Sequence, residues 1–250
     1  MTALLDVHGL GVRFGGVRAL DDVDLTVGEG ALIGLIGPNG AGKTTLIDAL
    51  TGFVPASGRI TFAGRRISGL PAHRRARAGL GRSWQSVELF DDLTIMENLR
   101  VAADRQRPRE MLSELVRPRR TAAEAGVVEA LGLLEIGDLA DRMPTELTQG
   151  QRKLAGVARA LAARPRLVCL DEPAAGLDTN ESVMLGRHLR RIVDGGTSML
   201  LVDHDMDLVF GSCDLVYVLE FGRVIAVGPP AEVRADREVI AAYLGGGDES

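Results

Sequence analysis

The chain has 250 residues, a formal net charge of −5 and two cysteines, and this length suffices for one large domain or for one domain with an inserted subdomain. Two cysteines give neither a disulfide framework nor the spacing of a zinc site, so we expect a reducing compartment, and the acidic balance disfavours a protein that mainly binds nucleic acid. The first residues lack a basic leader, and no run approaches the roughly 18 apolar residues of a membrane span, so we expect a chain that is neither exported nor membrane-spanning.

Strand-like and helix-like patterns alternate along the chain. Several strand-like runs are continuously apolar, which is typical of strands that are covered on both faces. The predicted strands are 4–10, 23–27, 31–36, 59–62, 167–170, 198–202, 215–219 and 224–227. The predicted helices are 43–50, 95–103, 122–134, 150–163, 179–193, 206–210 and 237–243. This alternation predicts a three-layer α/β core.

The stretch from about residue 86 to residue 164 carries almost no strand pattern. We predict that it forms an inserted α-helical subdomain of a single domain that spans residues 1–244. Two of its helices begin with the pattern of a capping box, Thr94 to Glu97 and Thr121 to Glu124. The glycine-rich and acidic end, residues 245–250, predicts a flexible tail.

Arginines cluster between residues 65 and 82 and again between residues 100 and 120. Proline, alanine and acidic residues interrupt both clusters, and aromatic residues are few. We therefore interpret both clusters as solvated faces rather than as a nucleic-acid or lipid-headgroup surface.

The segment 37–44, Gly-Pro-Asn-Gly-Ala-Gly-Lys-Thr, follows an apolar run and opens a predicted helix. A strand, a glycine-rich loop and a helix form the pattern of a phosphate-binding P-loop, although an ordinary glycine-rich turn shares part of it. We expect Lys43 to reach the β- and γ-phosphates and the Thr44 hydroxyl to ligate Mg²⁺. The residues expected to bind the phosphates are Gly37, Pro38, Asn39, Gly40, Ala41, Gly42, Lys43, Thr44 and Thr45.

Lys43 and Lys153 are the only lysines among the 29 lysine and arginine residues. Lysine carries a compact point charge on a flexible stem, whereas arginine carries a planar fork. The choice of lysine at position 43 therefore supports a phosphate-binding role.

Residues 167–172 form an apolar strand that ends in the carboxylates Asp171 and Glu172, and Pro173 stops it. Such a run alone is often a strand that enters a turn, but after a P-loop it predicts nucleotide chemistry. We expect Asp171 to hold Mg²⁺ through a water and Glu172 to polarise an attacking water.

Thr148 and Gly150 stand at the start of the predicted helix 150–163. A hydroxyl and a glycine at the start of a helix form an anion-binding end that is distinct from the P-loop. The sequence therefore predicts two phosphate-binding segments.

In chain order, the P-loop and five further features resemble those of ATP-binding-cassette (ABC) ATPases over essentially the whole chain. These features are Gln85, residues 147–151, residues 170–173, residues 176–178 and His204. Three stretches and the chain's ending are similar to the ATPase subunits of bacterial branched-chain amino acid importers: 13–20, 171–177, 203–209 and 240–245. The segment between residues 98 and 131 is similar to the larger of the two paralogous ATPases of such importers. The resemblance implies a P-loop NTPase fold of the α/β class, with an antiparallel β subdomain and an inserted α-helical subdomain.

The resemblance also implies roles for single residues. Phe14 matches the aromatic residue that stacks on adenine, although a phenylalanine at a strand end is often part of a core. Gln85 matches a residue that contacts Mg²⁺ and the attacking water, and His204 matches a histidine that contacts the γ-phosphate and positions the catalytic glutamate. Asp178 matches a residue at a dimer interface, and with Glu181 it also has the pattern of a helix cap.

Residues 147–151 match the signature segment of the family, whose common sequence is Leu-Ser-Gly-Gly-Gln. This chain departs from it, because Thr148 and Gln149 replace the serine and the first glycine. Thr148 keeps a hydroxyl for the γ-phosphate, whereas Gln149 adds bulk beside the opposing nucleotide. The resemblance implies that Thr148, Gly150 and Gln151 bind the nucleotide of a second cassette.

The resemblance implies ATP and Mg²⁺ as cofactors and a place on the cytoplasmic face of the cell membrane. The implied partners are a second, paralogous ABC ATPase, two transmembrane permease subunits that contact the segment 87–93, and indirectly a solute-binding protein. We expect transport of branched-chain amino acids or a related small polar solute, without a nucleic-acid partner. The alternatives are a lipopolysaccharide-type export complex and a soluble ABC ATPase of DNA repair or translation; the single cassette speaks against the latter.

Overall fold

The computed structural model describes residues 2–83, 89–104 and 122–244 of the chain. The strands are β1 (Ala3–Phe14), β2 (Val17–Gly28), β3 (Leu32–Ile36), β4 (Ser57–Phe62), β5 (Arg65–Arg66), β6 (Leu80–Arg82), β7 (Leu167–Asp171), β8 (Ser198–Val202), β9 (Leu215–Glu220) and β10 (Arg223–Gly228). The helices are α1 (Lys43–Thr51), α2 (Ala72–Ala78), α3 (Ile95–Ala103), α4 (Ala122–Leu133), α5 (Gln149–Ala162), α6 (Thr179–Asp194), α7 (Met206–Ser212), α8 (Pro230–Ala235) and α9 (Arg237–Leu244).

The strands form two sheets. The first is antiparallel, with the order β2-β1-β4-β5. The second has the order β10-β9-β3-β8-β7-β6. Its neighbours from β9 to β6 are parallel, and β10 is antiparallel to β9.

Side chains of the second sheet alternate between two apolar cores. Leu32 and Ile36 of β3 face a core that helices α3 to α9 complete. Ile33 and Leu35 face a core that contains the antiparallel sheet and α1. Every residue of β3, β7 and β8 is buried, as the continuous apolar runs predict. The predicted three-layer α/β class is therefore confirmed.

Several elements differ from the predicted ones. Strands β1 and β2 are longer than predicted, because register shifts between them interrupt the alternation that the sequence pattern requires. The short elements β5, β6, α2 and α8 were missed, since a few residues cannot show a period. Strand β6 exists through its parallel pairing with β7, where Leu80 lies opposite Leu167.

Helices α3, α4 and α5 pack on one another in the segment predicted to be helical. The described residues of that segment contain helices and the two 3₁₀ turns Gly137–Leu139 and Pro144–Glu146. The capping box of α3 is confirmed, since the N–H of Glu97 donates to Thr94 Oγ1 at 3.2 Å. Thr121 and the predicted tail 245–250 lie outside the described residues. In the described ranges no helix is both long and apolar enough to cross a lipid bilayer.

Candidate nucleotide-binding site

The loop between β3 and α1 has a conformation that requires glycine. Gly37 and Gly42 have φ values of +153° and +104°. A Cβ atom at Gly37 would lie 2.0 Å from the carbonyl oxygen of Leu219, and one at Gly42 would lie 2.7 Å from that of Ala19. Among the described residues no side chain caps α1 at Gly42, so the first N–H groups of the helix are available to an anion.

Lys43 lies folded back over this loop. Its Nζ donates to the carbonyl oxygens of Gly37 at 2.6 Å and Pro38 at 3.0 Å, and the residue is 9% exposed. Burial lowers the pKa of Lys43, while the charges of Glu172 and Asp171 oppose that shift. A phosphate group is a stronger acceptor than these carbonyls, so the ammonium is placed to exchange them for a nucleotide.

Asp171 ends β7 next to the P-loop and is 1% exposed. Its N–H donates to Ser83 Oγ at 3.2 Å, but neither of its carboxyl oxygens has a hydrogen-bond partner in the described part of the chain. Burial raises the pKa of Asp171, and the Arg82 guanidinium opposes that shift. A buried carboxylate whose oxygens accept no hydrogen bond in the described residues fits a role in holding Mg²⁺ through water.

Arg82 connects three elements behind Asp171. Its Nη2 lies 3.6 Å from Asp171 Oδ2, its Nη1 pairs with Asp48 of α1, and its guanidinium lies 5.5 Å from the centre of the Phe53 ring. The Arg82 side chain is only 7% exposed. The interpretation of residues 65–82 as one solvated cluster is therefore wrong for Arg82.

The same interpretation is wrong for Arg75, which is 5% exposed. Its guanidinium donates to the carbonyl oxygens of Leu70, Ala49 and Leu50 at 2.7–2.8 Å. Charge counting along the sequence cannot separate such arginines from solvated ones, because the difference depends on acceptors far away in the chain.

Glu172 has a left-handed backbone conformation with φ of +50°, which is rare for residues other than glycine. Its N–H donates to Val202 O at 2.7 Å. Its carbonyl oxygen accepts from Lys153 Nζ at 3.3 Å and from Ala175 N at 3.3 Å. The end of β7 is thus fixed against β8, against α5 and against its own turn.

Asp203 joins the loop after β7 to the loop after β8. Its Oδ2 accepts from Ala174 N at 2.9 Å, and its Oδ1 accepts from His204 N at 2.8 Å and Asp205 N at 3.0 Å. The His204 side chain is 65% exposed. Asp203 positions the backbone on both sides of the site. Its residue type and position do not predict this role, because its three partners are backbone groups.

Phe14 ends β1 and is 50% exposed, so it is not a core residue. The adjoining strand β2 approaches the P-loop, since Ala19 O limits the space at Gly42. An exposed ring at this position is available for stacking on a base. Gln85 lies outside the described residues.

The signature segment forms the capped start of α5. Gln151 N donates to Thr148 Oγ1 at 3.3 Å, and Thr148 N donates to Gln151 Oε1 at 3.0 Å. Thr148 and Gln149 are exposed. The Gln149 amide lies on Gly176 of the same chain, because a Cβ atom there would come 2.1 Å from its Nε2. Part of the bulk of Gln149 is therefore accommodated within this chain.

Gly150 contacts α6, since a Cβ atom at this position would lie 2.4 Å from Glu181 Oε1. Asp178 caps that helix: Glu181 N donates to Asp178 Oδ1 at 2.8 Å, and Asp178 N donates to Glu181 Oε2 at 3.1 Å. The cap interpretation of Asp178 is confirmed.

Residues 20–175 match the sequence model of the ABC transporter family, and residues 223–249 match that of the branched-chain amino acid ATP-binding cassette transporter. The chain is 41% identical over 252 residues to the high-affinity branched-chain amino acid transport ATP-binding protein LivG of Salmonella typhimurium, with 97% of this chain and 98% of LivG covered. It is 36% identical over 244 residues to the lipopolysaccharide export system ATP-binding protein LptB of Escherichia coli (strain K12), with the same coverage.

The fold is similar to the crystal structure of the ADP conformation of an ATP-binding cassette of an ABC transporter. The TM-score is 0.86 at 29% identity, and the similarity covers 98% of this chain and 100% of the other. The P-loop, the carboxylate pair after β7 and near-complete coverage of these relatives lead to one conclusion: the chain belongs to the ABC transporter family, as an ATP-binding subunit with the P-loop NTPase fold.

Proposed function

We propose that the chain hydrolyses ATP to drive an importer of branched-chain amino acids or a related small polar solute. The observation that carries the ATPase assignment is the glycine-shaped loop that holds the buried Lys43 ammonium on its own carbonyl oxygens, together with the buried Asp171 carboxylate at the end of β7. The similarity to LivG and the match of residues 223–249 support the substrate class.

ATP would bind with its adenine on Phe14 and its phosphates on residues 37–45. Lys43 would leave the carbonyl oxygens of Gly37 and Pro38 and donate to the β- and γ-phosphates, while the N–H groups at the start of α1 would donate to the other phosphate oxygens. The folded-back position of Lys43 keeps its charge inside the loop before a nucleotide arrives.

Mg²⁺ would be held by the Thr44 hydroxyl, by Gln85 and, through water, by Asp171. Bound there, it would neutralise charge on the β- and γ-phosphates. The buried Asp171 carboxylate, whose oxygens accept no hydrogen bond in the described part of the chain, supports this role.

Glu172 would accept a proton from the attacking water, and His204 would contact the γ-phosphate. A general base must keep a fixed direction, and the three backbone contacts of Glu172 supply that rigidity. Thr148, Gly150 and Gln151 would contact the nucleotide bound to a second, paralogous cassette, with Asp178 at the interface between the two chains.

The chain would dock on two permease subunits at the cytoplasmic face of the membrane, with a solute-binding protein as an indirect partner. Phe90, which is 49% exposed, supports a docking role for residues 87–93. Its N–H donates to Asn98 Oδ1 at 2.8 Å, and its carbonyl accepts from Asn98 Nδ2 at 3.1 Å. The fully buried Asn98 therefore holds an exposed aromatic residue in place.

Glu172→Gln tests the hydrolytic mechanism. We expect a fall in ATP turnover of about 10²- to 10⁴-fold, because the general base is lost, with ATP affinity retained. The variant should also accumulate as a closed dimer with MgATP on size-exclusion chromatography, since the ATP between the chains is not cut. Near-normal turnover would place the base elsewhere, and lost ATP binding would make Glu172 structural.

The substrate class is tested separately, with the purified transporter in proteoliposomes. We expect ATP-dependent uptake of labelled leucine and no uptake of lysine. Similarity to LptB makes lipopolysaccharide extraction the second candidate. Extraction without leucine uptake would replace the importer assignment.

A pull-down of partners from solubilised membrane tests the third candidate, a soluble ABC ATPase of DNA repair or translation. Recovery of the chain with ribosomes or DNA instead of permeases would favour that candidate.

A further inference from the structure

Lys153 is one of the two lysines of the chain, and the phosphate-binding mechanism uses only the other one. It lies in α5, one turn after the helix cap Thr148. Its Nζ donates to the carbonyl oxygen of Glu172 at 3.3 Å. Together with Ser83 and Asp171, it also borders a cavity of about 10 Å³, which is the space of roughly one water. Lys153 is therefore half-buried next to the end of β7, which carries the two carboxylates of the site.

The backbone of Glu172 needs such support. A residue other than glycine at φ of +50° is strained, and this conformation persists where the surroundings fix it. The N–H of Glu172 is fixed by Val202 O at 2.7 Å, whereas its carbonyl oxygen is held by the longer contacts to Ala175 N and Lys153 Nζ. Of these three contacts, the one from Lys153 has a charged donor, and this donor belongs to helix α5.

We propose that Lys153 is a positioning residue that fixes the peptide of Glu172 and so the direction of its carboxylate. It also ties Glu172 to helix α5, whose first residues would contact the nucleotide of the second chain. Engagement of α5 by that nucleotide is then mechanically linked to the base at this chain's own P-loop. The inference rests on the proposed role of Glu172 as general base.

The test compares three variants of the chain, each in the purified, assembled transporter. Lys153→Met removes the charge and the donor, Lys153→Arg keeps both, and Arg152→Gln removes the neighbouring cation, which pairs with Asp91 at 3.4 Å on the exposed side. We expect Lys153→Met to lower kcat about 10-fold, with KM and the Kd for ATP within about twofold of the wild type. Lys153→Arg should recover kcat to within about threefold, and Arg152→Gln should behave as the wild type.

Thermal unfolding separates positioning from a structural role, because a structural lysine would change Tm and ATP affinity together with kcat. If Lys153→Met does not fold, Lys153→Gln provides an uncharged donor of shorter reach for the same measurements. Unchanged kcat, or a parallel loss of ATP affinity, would overturn the proposal.

The double variant Glu172→Gln with Lys153→Met separates this inference from the proposed function. Since Lys153 acts through Glu172, we expect no further loss beyond that of Glu172→Gln alone. Additive losses would overturn the positioning role while leaving the base assignment intact. Normal turnover of Glu172→Gln alone would instead remove the base assignment on which both depend.

Discussion

The P-loop and the signature segment both end in the N-terminus of a helix, but they are built differently. Within the part of the chain that the structure describes, the P-loop has no side-chain cap, and it encloses the 9%-exposed Lys43, which lies on the loop's own carbonyl oxygens. The signature segment caps its own helix through Thr148 and Gln151 and leaves the side chain of Gln149 exposed on the surface. Under the proposed function, the P-loop would hold its ligand within this chain, whereas the signature segment would offer a capped surface to a ligand held by a second chain.

Lys43→Ala should have the largest effect, because it removes the cation of the P-loop. Charge-assisted hydrogen bonds contribute about 1.5–3 kcal/mol each, so the loss of contacts to two phosphates should weaken ATP binding by about 1,000-fold. Titration calorimetry measures this, with circular dichroism as the control for folding. Unchanged affinity would remove the P-loop assignment.

Gly150→Asp alters the signature segment at the start of α5. It should leave ATP affinity at this chain's own P-loop unchanged but lower hydrolysis by the assembled complex about 100-fold, because it blocks approach of the opposite nucleotide. The new side chain would also meet Glu181 within the chain. Glu181→Ala, alone and combined with Gly150→Asp, is therefore the matched control. Wild-type hydrolysis by Gly150→Asp would contradict a site shared between two chains.

Arg82→Gln tests the ion pairs that join α1 and β7 next to the P-loop. It leaves the carboxylates of Asp48 and Asp171 without their shared cation, and we expect the free energy of unfolding to fall by about 2 kcal/mol. Asp48→Asn should recover part of this loss. Arg75→Gln is the matched control, because Arg75 is also a buried arginine and holds the same helix through carbonyl groups. Denaturant unfolding should show no recovery by Asp48→Asn in the Arg75→Gln background; equal recovery would refute the pairing.

The smallest effect concerns Asp171→Asn. Burial raises the folded-state pKa of Asp171 above its unfolded value, so the ionised group destabilises the fold once the pH exceeds the folded pKa. Without nucleotide, the variant should be more stable at pH 7.5 by about 1 kcal/mol, a rise in Tm of roughly 2–4 °C. This gain should shrink as the pH falls through the folded pKa of Asp171. A lower Tm at pH 7.5 would show that the Arg82 charge outweighs burial.

The sequence predicts the parts of the molecule that depend on local patterns. The apolar runs of β3, β7 and β8 and the capping boxes of α3 and α6 are local, and the structure has all of them. The P-loop glycines are likewise explained by the turn that they form.

The remaining features depend on distant contacts that no local pattern encodes. Strand β6 needs β7, Arg82 is distinguished from its exposed neighbours by Asp48 and Asp171, and Asp203 acts through backbone groups on two loops. The family resemblance supplied roles for Phe14 and His204 that their residue types alone would not, and those roles remain predictions.

The P-loop packs against β9, since a Cβ atom at Gly37 would lie 2.0 Å from the carbonyl oxygen of Leu219. The ribosome makes β9 long after the loop itself. A nascent chain that ends before Leu215 has the complete glycine-rich motif but lacks the strand against which it is shaped. The capacity to hold ATP therefore arises late in translation, when nearly the whole cassette is present to use it.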